Sequence, residues 1–406
     1  MQSYCKFDRK NVGLRALVRG PSDSTSTHDF QVRSDRDRAD LGSPEDSRYP
    51  LRVMPTNKNY DGVQALRFFA AFLVVLTHST FYASERLLPG VGFWPGGATG
   101  VNIFFVISGF VMVVSTTELK GLANGWKIFV WRRLVRIVPM YWIATTLKLT
   151  ALILIPAVVL HSQLDIFHII SSYLFIPTVN VEGEFKPFLA VGWTLYFEMF
   201  FYALFALALY LRANLYYFVG TVLVLFASLS MFRTAGLAAT MFFDPIVLQF
   251  FFGMLVAATI WRTPVLNRIA KYHPSLPAAF SVCGVVLLLA PFEVPNVPDA
   301  FRTGVPATMI VLGVVLLEPH LKGRLPKTLL VLGDASYVLY LFHPLIAPIV
   351  PTVFREADVL NFWACVLVSS VVAIFACTVI HIVIERPLTQ QLRSLARSRR
   401  AAEVST

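Results

Sequence analysis

Runs of about twenty apolar residues recur along this chain, and that repeat limits the fold more than any other feature. A helix of about 20 residues rises about 30 Å, the thickness of a bilayer's hydrocarbon core. Ten such runs fall at roughly 65–83, 97–116, 138–159, 192–211, 215–232, 239–261, 275–292, 303–318, 334–354 and 361–384. Hydrophobic residues make up 56% of the 406 and charged residues 15%. Soluble domains average about 45–50% and about 25%, so a two- or three-domain soluble protein is excluded. The expected fold class is all-α, a polytopic integral membrane bundle of about ten transmembrane helices. Residues 160–191 form the longest connection, and the apolar stretch Ile169–Ile176 within it is too short to span, so it is read as re-entrant or interfacial.

The distribution of Lys and Arg orients the bundle. About 17 lie in the connections after even-numbered spans and in the C-terminal tail, and about 5 after odd-numbered spans. That bias predicts both termini in the cytoplasm and a multi-pass protein of the inner (cytoplasmic) membrane. It also accounts for most of the net charge of +11, so no nucleic-acid partner is implied. Residues 1–55 are rich in Arg, Asp and Ser without an apolar period, which predicts a disordered cytoplasmic tail. The membrane domain is expected over 56–388 and a basic cytoplasmic tail over 389–406. One reading starts translation at Met54; peptides from residues 1–53 in the native protein would refute it. Cys283, Cys365 and Cys377 sit in apolar runs as small hydrophobes, no cysteine pair has metal-ligand spacing, and no metal site is expected.

Charged residues inside membrane spans are costly and mark functional sites. Arg67 and His78 are eleven residues apart on the first span, which places both on nearly the same face, about 16 Å apart along the axis. Arg67 then lies near the cytoplasmic mouth and His78 towards the outer half; a snorkelling Arg and a structural His are the plainer alternative. The segment Gly100–Phe110, with Asn102 and Ser108, permits close helix contact and interhelical hydrogen bonds. Arg133 and Arg136, three apart, share a helical face and suit bidentate phosphate binding, though a purely topogenic role also fits. Glu198 lies about two turns into the fourth span and needs a buried partner, a proton or a wet cavity. His343 precedes Pro344, and His381 precedes Glu385-Arg386-Pro387.

A histidine, carboxylates and arginines converging in a bundle suit acyl transfer. Neutral imidazole takes the proton of an attacking sugar hydroxyl, a carboxylate orients it, and guanidiniums hold donor phosphates.

The chain resembles the membrane-bound acyltransferase family 3, the group of O-antigen, exopolysaccharide and nodulation-factor acetyltransferases. The likeness runs from about Tyr60 to Pro387. It rests on Arg67 and His78 at their spacing, the Gly100–Phe110 segment, and Arg133 with Arg136, Pro139 and Tyr141. Trp193-Thr194-Leu195 with Glu198, Ser336-Tyr337 with His343-Pro344, and Glu385-Arg386-Pro387 complete it in order. The resemblance implies a cytoplasmic acyl-CoA donor, acetyl-CoA by preference, and no permanently bound cofactor. It implies a carbohydrate acceptor reached from the other side, with the lipid bilayer as surroundings and homo-oligomerisation left open. It implies His78 as catalytic base, Arg67 and Glu198 as further catalytic residues, and Arg133, Arg136, Tyr141 and Ser108 as donor contacts. The acyl group would cross most of the membrane on the pantetheine arm. The C-terminal hydrolase-like domain of some family members is not expected, since the chain ends 19 residues after Pro387. Two rivals stand beside this reading: a proton-coupled transporter, and a b-type haem protein with His78 and His343 as ligands.

Overall fold

A computed structural model of the chain describes residues 60–156, 159–234, 237–290 and 297–405. The tail expected over residues 1–55, and the start at Met54, lie outside the described residues. All regular structure among the described residues is helical. Fifteen α-helices follow in order: α1 Asp61–Tyr82, α2 Gly100–Thr116, α3 Gly125–Leu154, α4 Ile166–Tyr173, α5 Trp193–Tyr210, α6 Leu215–Ser228, α7 Leu248–Arg262 and α8 Pro264–Tyr272. Then come α9 Ser275–Leu289, α10 Asp299–Leu321, α11 Lys327–Asp334, α12 Ser336–Ile346, α13 Ile349–Glu356, α14 Phe362–Ile380 and α15 Arg386–Ser405.

Among the described residues, nine helical segments are long and apolar enough to cross a bilayer, and a tenth if α8 and α9 count as one broken span bent by 98°. The seventh expected span is the short one. Its helix α9 has 15 residues, about 22 Å of rise, which falls below the ~30 Å core. Outward-facing side chains confirm the lipid setting. Trp363, Leu367 and Phe375 of α14 are 72%, 65% and 72% exposed, a burden no soluble surface carries in such density. Helix α4 is turned inside out: His168, Ser171 and Ser172 are buried while Ile166, Phe167 and Ile170 are exposed. Eight residues cannot span, and the helix is set three residues earlier than the sequence reading placed the apolar stretch. Asp165 starts it by accepting hydrogen bonds from the Phe167 and His168 amides at 2.9 and 3.2 Å.

Two clusters define the ends of the bundle. At one end Glu318 of α10 caps α1, accepting from the Asp61 and Gly62 amides at 2.7 and 2.9 Å. Asp61 accepts from the Gly323 amide at 2.8 Å, and Gln64 donates to Asp334. At the other end α1 passes into a π-helical turn, Ala83–Leu87, whose Arg86 carbonyl accepts from Arg355 at 3.3 Å.

Helix α2 is the axle of the site, and glycine sets its depth. A Cβ on Gly109 would run into the Phe250 carbonyl of α7, and one on Gly253 into the Val106 carbonyl of α2. The two backbones therefore touch, and Asn102, Gln249 and Thr303 tie α2, α7 and α10 by hydrogen bonds of 2.9–3.1 Å. Gly253→Val is expected to cost about 1–3 kcal/mol by overpacking, because backbone rather than a flexible side chain blocks it. A thermal scan in detergent should show the loss, and an unchanged midpoint would overturn the close crossing.

Candidate active site

One face of α2 lines a slot. Val101, Phe104, Phe105, Ser108, Val111 and Met112 follow helical spacing along it, and Val101 to Met112 spans about 16 Å. Arg67 of α1, Arg133 and Arg136 of α3, Glu198 and Tyr202 of α5, and Ser336, Tyr337 and Tyr340 of α12 complete the walls. The expectation that α3 begins near residue 138 needs correction. The helix starts at Gly125 and carries both arginines. Hydropathy stops at charge, but helical hydrogen bonding does not.

Three guanidiniums face one carboxylate in this slot. Glu198 accepts from Ser108 Oγ at 3.3 Å and from the Tyr202 hydroxyl. Arg67 and Arg133 both lie within electrostatic reach of Glu198 and Arg136. Arg133 is 8% exposed; its Nη2 donates to Ser115 Oγ at 2.5 Å, and its guanidinium lies 5.5 and 5.9 Å from the Phe129 and Tyr202 ring centroids. Its Nε is buried with no partner, as is Ser336 Oγ. An orphaned donor on a buried cation is the place where an anionic ligand group would bind.

Beyond Tyr340, which lines the slot, lies a pair of imidazoles. Tyr340 donates to the Val191 carbonyl at 2.8 Å, and its ring lies 6.3 Å from His343. The His343 ring meets His78 edge to face at 4.8 Å. Each histidine uses Nδ1 towards the carbonyl four residues back, Val74 for His78 and Leu339 for His343, both at 2.9 Å. A carbonyl only accepts, so Nδ1 carries the proton and neutral Nε2 keeps its lone pair. His343 Nε2 is buried without a partner. At 4.8 Å in a T-shaped contact the two rings leave no gap for a porphyrin between them, which removes the haem reading.

The sequence candidates thus divide. Arg67, Ser108, Arg133, Arg136 and Glu198 share the slot, while His78 stands beyond Tyr340 and His343 and is not among the lining residues. Tyr141 is fully buried away from it, 4.7 Å from the Phe175 ring and against Gly192 at the head of α5. Tyr202 was missed, although its i+4 spacing from Glu198 on one helix was readable. Ser115, the partner of Arg133, carried no sequence signal.

The long connection is latched to the π-helical turn that follows α1. His161 Nε2 lies 2.6 Å from Glu85 and Nδ1 lies 2.7 Å from Glu182. Two carboxylates need two donors, so the ring is bound as the cation. The hydrogen bond to Glu85, reinforced by the charges of Glu85 and Glu182, holds His161 above its ordinary range. The latch is therefore complete below about pH 6.5 and is lost as pH rises through the raised value. Amide exchange across residues 160–186 should quicken over that window, and His161→Gln should flatten the dependence.

The bundle thus holds a slot lined by three arginines and one carboxylate, with two histidines in contact beyond Tyr340. Residues 60–382 match a family model described as an acyltransferase domain. The chain belongs to the membrane-bound acyltransferase family 3, and it is an O-acyltransferase. A relative is the exopolysaccharide production protein ExoZ of Rhizobium meliloti (strain 1021), 32% identical over 314 residues, which cover 73% of this chain and 91% of ExoZ. No solved structure matches the chain. The transporter reading falls with the family assignment.

Proposed function

We propose that this enzyme moves an acetyl group from cytoplasmic acetyl-CoA to a hydroxyl of an extracytoplasmic exopolysaccharide or its lipid-linked precursor. It works in the inner membrane with the arginine end of the slot facing the cytoplasm. The observation that carries this is the slot itself: arginines at one end, histidines beyond the other, about 16 Å of α2 between. The donor phosphates bind Arg133, Arg136 and Arg67, and the pantetheine arm lies along α2. Arg67 is three helical turns from His78, so it serves donor binding rather than the reacting carbonyl. Glu198, held by Ser108 and Tyr202, offsets the charge of the guanidiniums. Tyr141 supports α5 through Gly192.

At the outer end, Nε2 of His78 takes the proton of the sugar hydroxyl as its oxygen attacks the thioester carbonyl. The tetrahedral intermediate collapses, the C–S bond breaks, and the imidazolium returns the proton to the CoA thiolate. Acetyl ester and free CoA result, with His78 neutral again. The exopolysaccharide assignment leans on the name of the relative ExoZ. Purified protein in proteoliposomes, given acetyl-CoA and deacylated exopolysaccharide on opposite sides, tests it. Acetylated glycan with stoichiometric free CoA is the expected result; no acetyl-CoA binding overturns it.

A further inference from the structure

A second cavity, of about 220 Å³, lies against the α5 end that begins at Trp193. Its walls come from two connections and one helix: Glu184 and Lys186 before α5, Trp193 and Phe197 on α5, and Arg233 and Asp244 between α6 and α7. Three features give it a chemistry. Its charges are paired within the cleft, Lys186 with Glu184 at 2.5 Å and Arg233 with Asp244 at 2.8 Å. The rim therefore offers many donors and acceptors but no uncompensated charge. Half-buried Trp193 supplies an apolar ring face beside that rim. The volume is below the ~300 Å³ floor of drug-sized pockets, which suits one ring of a longer molecule.

The cleft also abuts the donor slot. Phe105, which lines the donor slot, contacts Trp193 and Phe197 with ring centroids 6.3 and 6.1 Å apart. One aromatic layer thus separates the two cavities. Lys186 lies within electrostatic reach of His78. We propose that this cleft is the acceptor subsite and holds one neutral sugar unit of the glycan, its apolar face on Trp193 and its hydroxyls on the two ion pairs. Neutral sugars match the cleft because a uronic or phosphorylated unit would find both cations of the described lining already paired. The assignment rests on the acyltransferase reading above.

Direct binding separates the two. Neutral, deacylated exopolysaccharide oligosaccharides are titrated calorimetrically into the full-length protein without donor, for wild type, Trp193→Leu and Asp244→Asn. Asn keeps the side-chain acceptor for the Ile246 amide, bonded at 2.9 Å, so local structure is preserved. Each variant should bind the oligosaccharide about tenfold more weakly or worse, the loss of one charge-assisted hydrogen bond or stacking face, with unchanged acetyl-CoA affinity. No binding by wild type, wild-type affinity in both variants, or preference for acidic oligosaccharides would overturn the subsite. Absence of acetyl-CoA turnover in the same preparation would strike the acyltransferase mechanism instead.

Discussion

His78→Ala lowers the turnover number for acyl transfer about 10²–10⁴-fold, the usual contribution of a positioned general base. The magnitude follows from what surrounds the ring. Nδ1 is committed to the Val74 carbonyl, so the tautomer is set and only Nε2 can accept a proton. The protein contains a second imidazole in contact, His343, which shares the same tautomer. If His343 relays protons poorly, the loss sits at the upper end of the range. Because His78 does not line the donor slot, acetyl-CoA affinity should stay within twofold of wild type, roughly the limit of such measurements. Steady-state kinetics with saturating acceptor and a separate donor titration check both parts. Wild-type turnover in the purified variant would remove His78 from the chemistry.

Much of this arrangement was readable because a membrane forces apolar runs and isolates the exceptions to them. The spans were visible as runs, and Arg67, His78, Glu198 and the α3 arginines stood out against them. What the sequence lacked was distance. His78 and His343 lie 265 positions apart, and only the packing of α1 against α12 brings their rings to 4.8 Å. The start of α3 was misplaced because hydropathy reports polarity rather than hydrogen bonding. The cleft beside Trp193 was hidden for a different reason. Its walls come from connections with no apolar period, so Glu184 and Asp244 read as ordinary loop charges. Tyr141, a motif residue, packs against Phe175 and Gly192 and does not line the slot.

The two ends of the slot have separable chemistry, so a variant at one end should leave the other intact. Arg133→Ala is expected to raise the KM for acetyl-CoA about 10- to 100-fold, the loss of hydrogen bonds to a charged group. The buried guanidinium has one unsatisfied N–H and no ion pair among the described residues, and on the proposed reading a donor phosphate completes its coordination. Turnover at saturating donor should change little, because the reacting carbonyl lies towards His78. Arg133→Lys should restore only part of the affinity, since an ammonium lacks the planar fork. Acetyl-pantetheine without phosphates supplies the control: wild type and Arg133→Ala should use it equally well. A variant that loses turnover with both donors while keeping its KM would place Arg133 beside the reacting carbonyl and reverse the polarity of the slot.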